Sequence, residues 1–145
     1  MARLRSEPPK TGRVIVVVDD SREFLASTER LLAREGHTVH AFASPIAALD
    51  FLRATAVDLV LVDFFMPEMT GEEFVQKLRP GNPLVQVILQ TGYASEQPAR
   101  DLVRRLDIQG YFDKSEGPEK LLLWVDVALR AAATVQALAA RARDV

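Results

Sequence analysis

Leu59-Val60-Leu61-Val62-Asp63-Phe64-Phe65-Met66-Pro67-Glu68-Met69-Thr70-Gly71 is the most informative stretch of this 145-residue chain. Four consecutive apolar residues end in a single carboxylate, and a turn with proline and glycine follows at once. An apolar run this short, bounded by turn signals, reads as a strand buried on both faces, the kind that parallel sheets contain. In open α/β sheets the chemistry sits just beyond the carboxyl ends of such strands. Asp63 stands there, and it becomes the candidate reactive residue.

The flanking chain repeats the pattern. Val14-Ile15-Val16-Val17-Val18 is a β-branched run that ends in Asp19-Asp20. Ser21 can cap a following helix whose apolar stripe is Phe24, Leu25, Leu31 and Leu32, with Gly36 as its C-terminal stop. Thr38-Val39-His40-Ala41-Phe42 is mixed in polarity, as expected of a strand nearer the sheet edge. His37 and His40 have no ligand-like spacing and read as surface or packing residues. Ser44-Pro45 opens a second helix with Ile46, Leu49, Phe51 and Leu52 on its apolar side. After the Asp63 strand, Gly71 to Leu78 reads as a short helix stopped by Pro80-Gly81-Asn82-Pro83. Leu84 to Leu89 reads as a fourth strand ending in Gln90-Thr91-Gly92-Tyr93. A fourth helix is expected from about Ser95 to Leu106, with Pro98 in its first turn. Gly110 to Lys114 reads as a short fifth strand. Gly117-Pro118 then starts a last helix that can run almost to Val145.

Five βα repeats argue for a doubly wound five-stranded parallel sheet with helices on both faces. Hydrophobic content of 48% and charged content of 26% suit an ordinary globular domain. The chain has no cysteine, which excludes disulfides and thiolate metal sites. A net charge of −2 offers no general attraction to nucleic acid or to an anionic membrane. No uninterrupted apolar run approaches the roughly 18 residues that span a bilayer, and the start lacks a signal-peptide core. The expectation is a cytoplasmic protein with no membrane and no direct nucleic-acid partner. Residues 1–12, with Pro8-Pro9 and scattered basic side chains, read as a disordered tail rather than a binding arm.

Four of the five strands thus end in polar groups: Asp19 and Asp20, Asp63, Thr91, and Lys114. Parallel strands deliver these groups to one edge of the sheet. Three carboxylates gathered there repel one another and call for a cation. A hard divalent ion with oxygen ligands fits, and Mg2+ keeps waters while binding one or two carboxylates and a phosphate. An ammonium and a hydroxyl beside that cluster match the needs of a transferring phosphoryl group. A carboxylate can itself be the nucleophile, giving an aspartyl phosphate.

Asp-Asp after the first strand, Asp-x-x-Met-Pro with a following glycine, Thr-Gly after the fourth strand and aromatic-x-x-Lys after the fifth resemble the receiver domain of response regulators. The resemblance covers residues 13–131 and leaves 132–145 as a helical extension. It implies the flavodoxin-like, receiver-type fold. It also implies that Asp63 accepts a phosphoryl group from a sensor histidine kinase or a phosphotransfer protein. Asp19 and Asp20, together with Asp63 and the backbone carbonyl of Phe65, would hold Mg2+. Lys114 would contact one phosphoryl oxygen, and Thr91 would swing inward to another. Tyr111, three residues before the lysine, matches the aromatic that turns with it. The switched surface, formed by the fourth helix, fifth strand and last helix, would meet a downstream protein target. The chain would then be no enzyme beyond its own phosphorylation and dephosphorylation.

Three features stand apart from that pattern. The family usually carries proline after the lysine, often with a cis bond; Ser115 stands there, and Lys114 is expected to function regardless. Phe65 and Tyr93, two residues after Asp63 and Thr91, are large aromatics that either screen an acyl phosphate from water or pack together or on a partner. The last helix, with Leu121, Trp124, Val125, Ala128, Ala132 and Val135 as its packing stripe, would be roughly 39 Å long at about 1.5 Å per residue and overhang the sheet. It reads as a solvated extension, part of a longer protein, or a docking helix that could pair two copies. Residues 132–145 are too few for an output domain. Two other functions remain to be weighed: a retired receiver used only for binding, and an enzyme on a similar fold, such as a flavodoxin-like protein or a metal-dependent phosphatase. Against the enzyme, Asp-Asp-Ser-Arg replaces a glycine-rich phosphate cradle after the first strand, and Phe64-Phe65 offers no general acid.

Overall fold

The computed structural model describes residues 12–92 and 99–144. Strands β1 (Val14–Val18), β2 (Thr38–Phe42), β3 (Leu59–Asp63), β4 (Gln86–Thr91) and β5 (Gly110–Asp113) alternate with helices α1 (Arg22–Arg34), α2 (Pro45–Ala54), α3 (Gly71–Leu78), α4 (Ala99–Arg105) and α5 (Pro118–Arg143). The strands form one sheet in the order β2-β1-β3-β4-β5, and every neighbouring pair is parallel. The order reverses at β1, and such a switch point leaves a crevice at the carboxyl ends of β1 and β3. Asp19 and Asp63 flank it.

Strand pleating assigns alternate residues to the two faces. Val16, Val18, Val60, Val62, Val87 and Leu89 pack on one side with Leu52 of α2, Phe74 of α3 and Leu102 of α4. Ile15, Val17, Leu59, Leu61, Ile88 and Phe112 pack on the other with Leu25 and Leu32 of α1 and with Leu121 and Val125 of α5. Burying each such side chain stabilises the fold by about 1.5–3 kcal/mol, which explains the uninterrupted apolar runs Ile15–Val18, Leu59–Val62 and Val87–Leu89 of the central strands.

The local signals act as their chemistry suggests. Ser21 and Ser44 cap α1 and α2, accepting hydrogen bonds from the amides of Phe24 and Ala47. Gly36, at φ 94°, follows α1; its amide donates to Ala33 O, and that of His37 donates to Leu32 O, the Schellman pattern. β2 is only half-buried beyond its exposed first residue, as an edge strand should be. His40 packs its ring 4.6 Å from that of Phe51.

Several expectations need correction. β4 starts at Gln86 rather than Leu84, which is 60% exposed. The Val85 carbonyl accepts from Arg79 Nη1 at 2.6 Å, and the ladder begins two residues later than expected. In α2 the inward row is Pro45, Ala48, Leu49 and Leu52; Ile46 falls between these positions of the 3.6-residue period and is exposed. Thr28 completes the buried row of α1, whereas Phe24 and Leu31 are only half-buried. Lys114 is not the last residue of β5 but the first of a short 3-10 helix, Lys114–Glu116. The described part of α4 begins at Ala99; Ser95 and Pro98, like residues 1–11 of the expected tail, lie outside the described residues.

α5 is the 26-residue helix anticipated, with Leu121, Val125, Ala128, Leu129 and Ala132 buried. An 18-residue window within it reaches a mean hydropathy of 1.5, so by length and composition alone it is long and apolar enough to cross a bilayer, although charged residues interrupt it. Here its apolar face completes the core. The part beyond Ala131 does not project freely. Gln136 Nε2 donates to Asp58 Oδ1 at 2.5 Å, and Arg13 Nη1 donates to Gln136 Oε1 at 3.2 Å. Asp58 Oδ2 also accepts from the amide of Val14 at 2.8 Å. The extension is thereby held at the amino-terminal edge of the sheet, opposite the switch point.

Candidate functional site

Strand register builds the site. Val18 pairs with Val62, Asp63 with Gln90, and Gln90 with Phe112. Asp19, the residue after Val18, therefore falls in one row with Asp63 and Gln90. Two residues back along each strand, Val17, Leu61 and Ile88 belong to the cluster under α1 and α5. By the period of two, the row lies on that same face.

The sequence-derived residues converge there. Asp19 and Asp63 are buried, Asp20 is exposed, and one carboxylate oxygen from each of the three lies within 4.8 Å of the others. Lys114 Nζ sits 2.7 Å from Asp19 Oδ2 and 3.3 Å from Asp63 Oδ1. Asp19 Oδ1 accepts from the Ser21 amide at 2.9 Å, which ties it to the start of α1. The Asp63 pKa is raised to about 7, chiefly by burial and then by the charge of Asp19, against the opposing charge and hydrogen bond of Lys114. One ammonium faces three carboxyl groups, and the site has the hard-oxygen donor set that a divalent cation prefers.

Thr91 is fully buried at the end of β4, in register with Asp113. Tyr111 is half-buried on β5; burial, and then the nearby Asp113 charge, push its phenol pKa up. Phe65 lies in the loop after β3, 38% exposed, with its ring edge-on to Phe64 at 4.9 Å. Tyr93 lies outside the described residues. That loop is drawn tightly under the site, because the amide of Gly71 donates to Phe64 O at 2.7 Å and that of Phe64 to Gln90 O at 2.8 Å. A Cβ on Gly71 would come within 2.9 Å of the Asp63 carbonyl oxygen, so only glycine lets α3 start so close to the strand.

Three contributors escaped sequence reasoning. The centroid of the Phe24 ring lies 4.3 Å from Lys114 Nζ, a cation–π contact. Asp113 Oδ1 accepts from both the amide and the hydroxyl of Ser115, at 2.9 and 2.8 Å, and so starts the 3-10 helix that carries Lys114. A proline at 115 has no N–H and could not make the first of these bonds. Gln90 is the third: a fully buried amide whose Nε2 lies 3.5 Å from Asp19 Oδ2. A polar residue closing an apolar run was its one visible signal.

Fold and site together define an α/β domain of the flavodoxin-like order with an acidic, cation-suited centre at its switch point. The response regulator receiver domain model matches residues 15–126, and the chain belongs to that family. A sensor kinase, CckA, of Brucella abortus is 34% identical over 90 residues, which are 61% of this chain and 10% of that protein. This chain therefore corresponds to a small part of that relative. A CheY-like receiver domain protein from Methanospirillum hungatei superposes with a TM-score of 0.77 at 27% identity, over 86% of this chain and 98% of that one. A response regulator from Burkholderia pseudomallei, solved with a phosphorylated aspartic acid and a calcium ion, gives 0.69 at 27% identity, over 88% and 73%.

Proposed function

We propose that this chain is a phosphoacceptor. Asp63 takes a phosphoryl group from a histidine kinase or phosphotransfer protein in a Mg2+-dependent reaction, and the product switches a protein-interaction surface. The observation that carries this reading is the bridge of Lys114 between Asp19 and Asp63 inside a three-carboxylate cluster. A retired site would gain nothing from keeping that repulsion.

Asp19, Asp20, Asp63 and the backbone carbonyl of Phe65 would hold the cation. When bound, the ion neutralises charge on the phosphoryl oxygens. A carboxylate oxygen of Asp63 attacks phosphorus, the P–N bond of the donor phosphohistidine breaks, and the imidazole leaves with the bonding pair and takes up a proton. Lys114, no longer needed to offset Asp19, turns to a phosphoryl oxygen. Thr91 donates its hydroxyl to another, and Tyr111 moves with it. A two-state surface on α4, β5 and α5 is then biased toward a downstream protein. α5 is also the element through which two copies could pair. The chain itself would turn over no other substrate.

Intact-mass analysis after incubation with acetyl phosphate tests this. A gain of one phosphoryl group in the wild type, absent without Mg2+ and absent in Asp63→Asn, is expected. Equal gains in both proteins would contradict it.

A further inference from the structure

Gln90 is the member of the site row that the phosphoacceptor chemistry leaves without a part. It is fully buried, next to Asp63 in register, and points its amide nitrogen at Asp19. Its Oε1 is buried with no hydrogen-bond partner among the described residues. The nitrogen has to face the carboxylate, because the reverse orientation would set two acceptors against each other. We infer that Gln90 is a positioning residue of the cation centre: its carboxamide fixes the Asp19 carboxylate for the ion.

The chemistry of the position supports this. Asp19 is held at Oδ1 by the Ser21 amide and at Oδ2 by Lys114 and Gln90. Lys114 is mobile by its role, because it must leave Asp19 to meet a phosphoryl group. Among the described residues Gln90 is the remaining side-chain donor to Oδ2, and it is anchored near the carboxyl end of β4 rather than on a loop that could follow the lysine. A neutral donor is what the place requires. A carboxylate would add a fourth negative charge to the cluster, and an aliphatic group would leave Oδ2 dependent on Lys114 alone. The unpartnered Oε1 has a matching use, since a hydrated cation carries water O–H donors into a site otherwise crowded with acceptors. Residues that orient metal ligands in this way change metal affinity typically by about 10–100-fold when removed.

This inference rests on the reading of the carboxylate cluster as a Mg2+ centre, and calorimetry separates the two. Mg2+ is titrated into the unphosphorylated full chain for wild type, Gln90→Leu and Gln90→Met, with Gln86→Leu as control. Gln86 is also a buried amide of β4 with an unpartnered Oε1, but it sits at the far end of the strand. The Gln90 variants are expected to bind Mg2+ about 10-fold or more weakly, with melting temperatures equal to or above that of the wild type, while Gln86→Leu binds like the wild type. Unchanged Mg2+ affinity in a folded Gln90 variant overturns the positioning role alone. Equal weakening in Gln86→Leu also overturns it, by making the effect one of general packing. A wild type that takes up no Mg2+ overturns the metal centre itself.

Discussion

Asp63 holds its proton far above the ordinary carboxylate pKa of 3.8, to about 7, because burial and Asp19 disfavour its charge. Between roughly pH 4 and 7 the folded chain therefore retains a proton that the unfolded chain has lost, and stability from this group declines as pH rises through that window. Asp63→Asn removes the titration. In the absence of divalent metal, its unfolding free energy from urea titration should exceed that of the wild type at pH 8 by on the order of 1–3 kcal/mol, with little difference near pH 4. A gap that is the same at both pH values would contradict the assignment of the shift to Asp63. Phe65 belongs to the same scale. Exposed beside the acceptor, it can screen an acyl phosphate, and Phe65→Ala should then shorten the phosphoryl lifetime several-fold; an unchanged lifetime leaves Phe65 a packing or partner residue. Asp19, Asp20, Asp63, Thr91 and Lys114 were legible in the sequence because each is a polar group closing an apolar run. Phe24 was not, since its contact arises from a helix crossing that no local pattern encodes, and Gln90, though it too closes an apolar run, takes its place beside Asp19 only through strand register.

At the level of elements, the caps at Ser21 and Ser44 and the apolar strands could be read directly, because each depends on neighbours within a few residues. What failed were details set by tertiary contacts. Arg79 takes the Val85 carbonyl and delays β4, and Pro45 occupies the inward position that Ile46 seemed to claim. The fate of the α5 extension is the clearest case. Its composition gives a helix, but packing of its apolar face and the meeting of Arg13, Asp58 and Gln136 fix where that helix lies. Gln136→Ala removes the amide that joins them. It should destabilise the chain by about 0.5–1.5 kcal/mol and raise amide exchange beyond Ala132 while leaving the phosphorylation rate unaltered. Protection unchanged across that segment would show that apolar packing by Ala132 and Val135 alone holds it.

For the whole molecule, repeated βα units and right-handed crossovers sufficed to give the class of fold. Convergence of the strand ends sufficed to bring three carboxylates and a lysine together at one edge. The sheet order, with its reversal at β1, then explains why Asp19 and Asp63 meet: they end the two strands that flank the switch point. The most direct test is to locate the modified atom. After phosphorylation by acetyl phosphate with Mg2+, borohydride reduces an acyl phosphate to the alcohol, and peptide mass spectrometry then finds the altered residue. Homoserine at position 63, and at neither 19 nor 20, is the predicted result. Reduction at Asp19 or Asp20, or a phosphoryl group that borohydride leaves in place on a hydroxyl, would contradict the assignment of Asp63 as the acceptor.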